Sequence, residues 1–118
     1  ACLVEEVHDP KKYGVVNGIF LENGIMKITE MKEKPKNPST KFAIIAIYIF
    51  KSSIFDKLSD AKIKGNPEKQ LAYAFNMAIK NNENVIGVFL KKSEKRIDIG
   101  TPESYLQVLT SSKTIKIE

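Results

Sequence analysis

A chain of 118 residues is one domain's worth of sequence, enough to bury one core but not two independent ones. Its 42% hydrophobic and 28% charged content are those of an ordinary globular protein, and a formal charge of +5 suits an anionic ligand such as a phosphate. A single cysteine, Cys2, and a single histidine, His8, exclude an intrachain disulfide and a His/Cys metal cluster.

The lysines are scattered and lack interleaved stacking aromatics, which argues against a nucleic-acid interface. No signal peptide and no membrane-length apolar run occurs, so the expected location is cytoplasmic, without a membrane partner.

ACLVEEV, residues 1–7, reads as a buried strand that begins at the first residue, with Cys2 in its core face. A strand with no lead-in suggests a piece of a longer protein, with this first strand left as an exposed edge open to association into a homo-oligomer. His8-Asp9-Pro10 breaks the strand and leaves His8 in an exposed loop. Tyr13-Gly14-Val15-Val16 opens a second extended segment. Of two Asn-Gly pairs, only Asn23-Gly24 has apolar runs on both sides long enough for a hairpin; Gly18 then reads as a bulge. Two-residue spacing puts Met26 and Ile28 on one face.

KEKPKNPS, residues 32–39, is by itself a solvated, lysine-rich connection. FAIIAIYIF, residues 42–50, is an uninterrupted apolar run that predicts a central strand buried on both faces, with Ile44, Ala46, Tyr48 and Phe50 on one of them. Ser52 or Ser53 caps a short helix over 54–58. Asn66-Pro67-Glu68 starts a helix running to Asn81, whose Leu71, Ala74, Phe75, Ala78 and Ile79 form a sheet-packing stripe. VIGVFL, residues 85–90, is another buried strand, and residues 114–117 form a last short strand or a tail.

The stretch RIDIGTPESYLQVL, residues 96–109, carries the most chemical promise. In an extended chain Asp98 points away from Ile97 and Ile99, Gly100 turns, Thr101 caps a helix, Pro102 takes its first position and Glu103 its first turn. Tyr105, Leu106 and Leu109 give that helix an apolar stripe. One acid is thereby delivered to the mouth of a sheet, where metals and substrates bind in α/β folds. The alternative is that Asp98 merely bonds the turn that follows it.

In order, DPKKYGVV, EKPKNPS, IYIF, PEKQL and DIGTPESYL make the chain resemble the sugar-1-phosphate nucleotidyltransferases, most nearly the glucose-1-phosphate thymidylyl- and uridylyltransferase group. The resemblance implies an α/β fold: a mixed, mostly parallel sheet flanked by helices, the C-terminal half of a Rossmann-like catalytic domain. Residues 1–118 would be a single partial domain whose partner is the N-terminal, nucleotide-binding half of the same protein. It implies transfer of a nucleotidyl group from a nucleoside triphosphate (dTTP or UTP) to a sugar 1-phosphate such as glucose 1-phosphate, with release of pyrophosphate. Tyr13, Gly14, Glu33, Ile44 and Tyr48 would bind the sugar and Lys34 its phosphate. Asp98 would be one of two acids on Mg²⁺, so that Lys34 and Asp98 converge on one cleft. No glycine-rich phosphate cradle occurs. Ala46 and Ala72-Tyr73 stand where such enzymes carry Gly and Thr-Asp, which bears on the choice of sugar. The competing expectation is a non-catalytic sugar-phosphate-binding or regulatory module.

Overall fold

A computed structural model describes residues 1–63, 69–94 and 96–111. Its elements are β1 (Cys2–Glu6), a 3-10 turn at Pro10–Lys12, β2 (Gly14–Phe20), β3 (Ile25–Glu33), β4 (Phe42–Tyr48), α1 (Ile54–Ile63), α2 (Gln70–Lys80), β5 (Ile86–Phe89) and α3 (Pro102–Ser111). The fold is α/β, but the expected mostly parallel sheet is not what these strands build. They close into a small mixed barrel in the order β1-β4-β2-β3-β5, in which only the β1–β5 pair is parallel. The reason is connectivity. A parallel pair needs a long crossover, and β1 and β5 have α1 and α2 between them, whereas β2 and β3 are joined by a tight turn. The first strand is likewise not an open edge, because β4 and β5 pair on either side of it.

The hairpin turns where two adjacent residues accept left-handed backbone: Asn23 at φ 60° and Gly24 at φ 70°. Its ladder slips once, between Asn17 and Gly18, so Asn17 faces Glu30 and Gly18 faces Ile28. That bulge inverts the alternation of β3. Met26 and Ile28 are buried on one side of it and Met31 beyond it, although Met31 has the opposite parity. Gly18 is required by the close approach. A Cβ there would lie 2.3 Å from the Lys27 carbonyl oxygen and 2.6 Å from Met26 Cγ.

The main core joins Cys2, Val4, Val16, Met26, Ile28, Met31 and Ile44 of the barrel to Ala72, Phe75 and Ala78 of α2. Cys2 behaves as a small apolar side chain; burial pushes its thiol up to about 11, so it is not a thiolate nucleophile, and His8 lies exposed in a bend. α2 ends as expected at Asn81, followed by Asn82 in the left-handed region at φ 58°. Its expected start at residues 66–68, and the last strand or tail at 114–117, lie outside the described residues. α1 runs to Ile63, longer than the 54–58 expected, and Lys57 Nζ pairs with Glu83 Oε1 at 2.7 Å beside the end of α2.

The run FAIIAIYIF is buried on both faces only at Ala43, Ile44 and Ile45. Its pairing with β1 jumps from Val4–Ile44 to Cys2–Tyr48, so residues 45–47 take up the irregularity, and Ala46, Ile47, Ile49 and Phe50 are exposed. Tyr48 still turns inward, packing with Phe50 and Phe75 at ring-centroid distances of 5.3 and 6.0 Å. Among the described residues no helix is long and apolar enough to cross a membrane.

Gly18→Ala tests the bulge. The new methyl meets backbone that cannot step aside, so stability is expected to fall by roughly 1–3 kcal/mol, read from the denaturant midpoint.

Candidate functional site

The site is assembled where β2 begins and β3 ends. Antiparallel pairing sets Gly14 opposite Glu33, and the glycine's missing side chain is the space the glutamate occupies. A Cβ on Gly14 would lie 2.8 Å from Glu33 Oε2 and 3.0 Å from Met31 Cε. The next residue, Lys34, is held in a left-handed conformation at φ 40°, and its N–H donates to the Tyr13 carbonyl at 3.1 Å. Left-handed backbone costs a lysine about 1–2 kcal/mol. Such strain persists only where the surroundings over-determine it.

Those surroundings are visible. On one side, Asn76 of α2 accepts the Met31 N–H through Oδ1 at 2.9 Å and donates through Nδ2 to the Met31 carbonyl at 2.7 Å. One side chain therefore does for this part of β3 what a neighbouring strand would do. On the other side, Asn17 donates to Glu30 Oε2 at 2.9 Å and to Ser39 Oγ at 3.0 Å, while the Thr40 hydroxyl donates to the Val16 carbonyl at 2.9 Å. The loop after Lys34 is thus pinned to β2. Asn17 and then Lys32, 3.1 Å away, hold the Glu30 carboxyl below its usual range, keeping this tie ionised.

Tyr48 is tied by its ring to Phe50 and Phe75 rather than to this corner; burial first, then its neighbours Cys2 and Glu33, raise its phenol above the ordinary value. Ile44, by contrast, is a core residue opposite Val4. Ala46 shares the parity of Tyr48 but is exposed in the irregular stretch. Beside the corner, a shallow cleft of about 350 Å³ is bounded by Lys32, Glu33, Pro35, Lys69, Tyr73 and Asn76. Both unusual helix residues, Ala72 and Tyr73, line it. A larger cavity of about 410 Å³, between α1, α2 and the end of β4, includes none of the residues expected at the site.

Asp98 is not at the end of a strand. Residues 96–100 are irregular, Ile97 and Ile99 are exposed, and the Asp98 carboxylate is 73% exposed. Its Oδ1 accepts the Gly100 N–H at 3.0 Å, the turn-bonding role that the local sequence offered as the alternative. Thr101 caps α3 as expected: its Oγ1 accepts the Ser104 N–H at 3.1 Å, and Ser104 Oγ returns the favour to the Thr101 N–H at 3.1 Å. The Tyr105, Leu106 and Leu109 stripe is not packed away; all three are exposed.

Arg96, which sequence reasoning passed over, connects this turn to the corner. Its Nε bonds Glu5 Oε2 at 3.0 Å, its Nη1 lies 3.5 Å from Asp98 Oδ2, and its guanidinium stands 5.8 Å from the centroid of the Tyr13 ring. Asn76 was also missed. Its only sequence signal was an amide between the core positions Phe75 and Ala78.

The structure thus joins Tyr13, Gly14, Glu33 and Lys34 directly and Asp98 through Arg96. Among the described residues no three Asp, Glu, His or Cys side chains gather where they could hold a metal ion.

Residues 1–114 match the family model described as nucleotidyl transferase, and the chain belongs to that family. A protein of Methanocaldococcus jannaschii provisionally named UTP–glucose-1-phosphate uridylyltransferase is 35% identical over 101 residues, covering 84% of this chain and 35% of its own length. The apo crystal structure of a UDP-glucose pyrophosphorylase superposes with a TM-score of 0.83 at 32% identity, covering 96% of this chain and 42% of that one. A UDP-glucose pyrophosphorylase complexed with UDP-glucose gives 0.81 at 30% identity, covering 96% and 43%. The chain therefore spans less than half the length of these relatives.

Gly14→Ala separates site from scaffold. The methyl meets only the ends of two flexible side chains, so the loss of stability is expected to be smaller than for Gly18→Ala. The ¹³C resonance of the Glu33 carboxyl is expected to move as the side chain is pushed aside. A loss of fold equal to that of Gly18→Ala, with the Glu33 resonance unmoved, contradicts the assignment.

Proposed function

We propose that the protein carrying this chain transfers a nucleotidyl group from UTP or dTTP to glucose 1-phosphate or a related sugar 1-phosphate, and that this chain supplies the sugar-phosphate side. The observation that carries the reading is the Gly14–Glu33–Lys34 corner. It sets a carboxylate against bare backbone and holds a lysine, at a cost in strain, immediately beside it. Membership of the nucleotidyl transferase family and the likeness to a protein solved with UDP-glucose support it.

In this reading Glu33 accepts hydrogen bonds from sugar hydroxyls, and the open backbone of Gly14 lets the ring approach. Tyr13 and Tyr48 bound the ring, with Ile44 in the core opposite Val4. The Lys34 ammonium neutralises the sugar phosphate, a compact cation for a dianion. A phosphate oxygen of the sugar then attacks the α-phosphorus of the triphosphate in line. The new P–O bond forms as the bond to pyrophosphate breaks, and pyrophosphate leaves with the electron pair. Positioning and charge neutralisation do the work, with no covalent intermediate.

Mg²⁺ supplies neutralisation of the triphosphate when bound. The donor set present here fits it only in part: Asp98 offers one exposed carboxylate, with Oδ1 accepting the Gly100 N–H and Oδ2 3.5 Å from Arg96 Nη1. That suits an ion held by one or two carboxylates and the substrate's own phosphates. The Rossmann-like N-terminal half that the resemblance implies would bring the triphosphate cradle and a second acid.

The test is pyrophosphate release by the full-length protein with Mg²⁺, UTP or dTTP, and glucose 1-phosphate. Lys34→Ala is expected to lower kcat/KM by roughly 10–100-fold, the loss of a hydrogen-bonded charge. Asp98→Asn is expected to lower kcat by on the order of 10²-fold. Residues 1–118 alone are expected to release none. Binding of the sugar phosphate without any turnover by the full-length protein would favour the non-catalytic module.

A further inference from the structure

We infer that Arg96 is a positioning residue that holds the Asp98 turn in register with the sugar-phosphate corner, an inference that rests on the nucleotidyl-transfer reading above. The segment bearing Asp98 is irregular and exposed, and among the described residues no strand pairing fixes where its carboxylate stands. Among the described residues, the Arg96 guanidinium reaches across. Arg96 bonds Glu5 of β1, 91 positions away, at 3.0 Å, faces the Tyr13 ring at 5.8 Å, and lies 3.5 Å from Asp98.

Tyr13 is the residue whose carbonyl accepts the Lys34 N–H at 3.1 Å. The acid, the guanidinium, the aromatic ring and the lysine backbone therefore form one continuous chain of contacts. Neither end of the Arg96–Glu5 pair is a freely solvated charge, with side chains 28% and 29% exposed. Hydrogen bonding to Glu5 raises the affinity of Arg96 for its proton still further, so the cation persists at every working pH.

Only a planar fork does all three tasks. A lysine in its place keeps the charge but gathers its donors on one nitrogen with no planar fork, which cannot bond Glu5, approach Asp98 and lie by the Tyr13 ring together. The consequence belongs to the chemical step rather than to ground-state binding, because Glu33 and Lys34 hold the sugar phosphate without Arg96. A misplacement of about 1 Å in a reacting constellation can cost on the order of 10²-fold in rate.

The experiment uses the full-length protein with Mg²⁺, UTP and glucose 1-phosphate. Arg96→Ala is expected to lower kcat by roughly 10–100-fold while the KM for the sugar phosphate stays within a small factor. Arg96→Lys is expected to recover little of it. Glu5→Ala is expected to reproduce the kcat loss, and the double variant Arg96→Ala/Glu5→Ala to be no worse than the poorer single one, since both break one link. Amide hydrogen exchange gives a readout apart from turnover: the Gly100 N–H should exchange faster in both single variants, and the Met31 N–H, held by Asn76, should not. An unchanged kcat overturns the inference, as does a raised KM at constant kcat, which would make Arg96 a substrate-binding residue. Full rescue by lysine overturns it as well. If the unaltered protein turns nothing over, the functional reading fails instead, and the exchange comparison still decides whether Arg96 anchors the turn.

Discussion

A single side chain bonded twice to one backbone position holds the two layers of this molecule together where it matters. Asn76 meets both the N–H and the carbonyl of Met31, two residues before Glu33 and three before Lys34. Past Lys27, β3 has no pairing with β5, and the Ile28 N–H is taken by Val85 instead. Without the amide, the Met31 backbone groups would lose their partners in a half-buried place, each at a cost of about 1–3 kcal/mol. The clamp also fixes the end of the strand on α2, whose Phe75 and Ala78 are already committed to the core. The corner is therefore anchored to the best-packed part of the fold.

From that anchor the remaining geometry follows by register. The bulge at Asn17–Gly18 shifts β3 so that Met31 turns to the core, which carries Glu33 onto the open backbone of Gly14. Asn17 serves twice, at the bulge and as the tie to Ser39 that closes the loop behind Lys34. A scaffold feature and a site feature thus share one residue. The strained Lys34 is the outcome of both ends being held: Tyr13 accepts its N–H on one side, and the pinned 35–40 loop restrains it on the other.

Much of this was legible in the residues. Asn23-Gly24 announced the hairpin, Gly18 the bulge, the α2 periodicity its buried stripe, and Thr101-Pro102 the start of α3, because each is a local signal with a local cause. The apolar run at 42–50 was not local in this sense. Its burial depends on a register jump against β1 that composition does not reveal, so Ile47 is 61% exposed in a stretch that reads as core. The sheet's strand directions were misjudged for a similar reason, since the short connections of β2, β3 and β4 outweigh the one crossover between β1 and β5. Ile97-Asp98-Ile99 alternates like a strand but pairs with no strand among the described residues, leaving the Asp98 turn bond as the stronger local interaction. Asn76 and Arg96 act on residues 45 and 91 positions away, and no local pattern marks either.

The central claim is that the Gly14–Glu33–Lys34 corner receives the sugar phosphate. The most direct measurement is a titration of the isotopically labelled full-length protein with glucose 1-phosphate, followed residue by residue by NMR. The account predicts that the largest shifts fall on the Gly14 and Lys34 amides and the Glu33 carboxyl. Saturable shifts confined to the cavity between α1 and α2, with the corner silent, would contradict it.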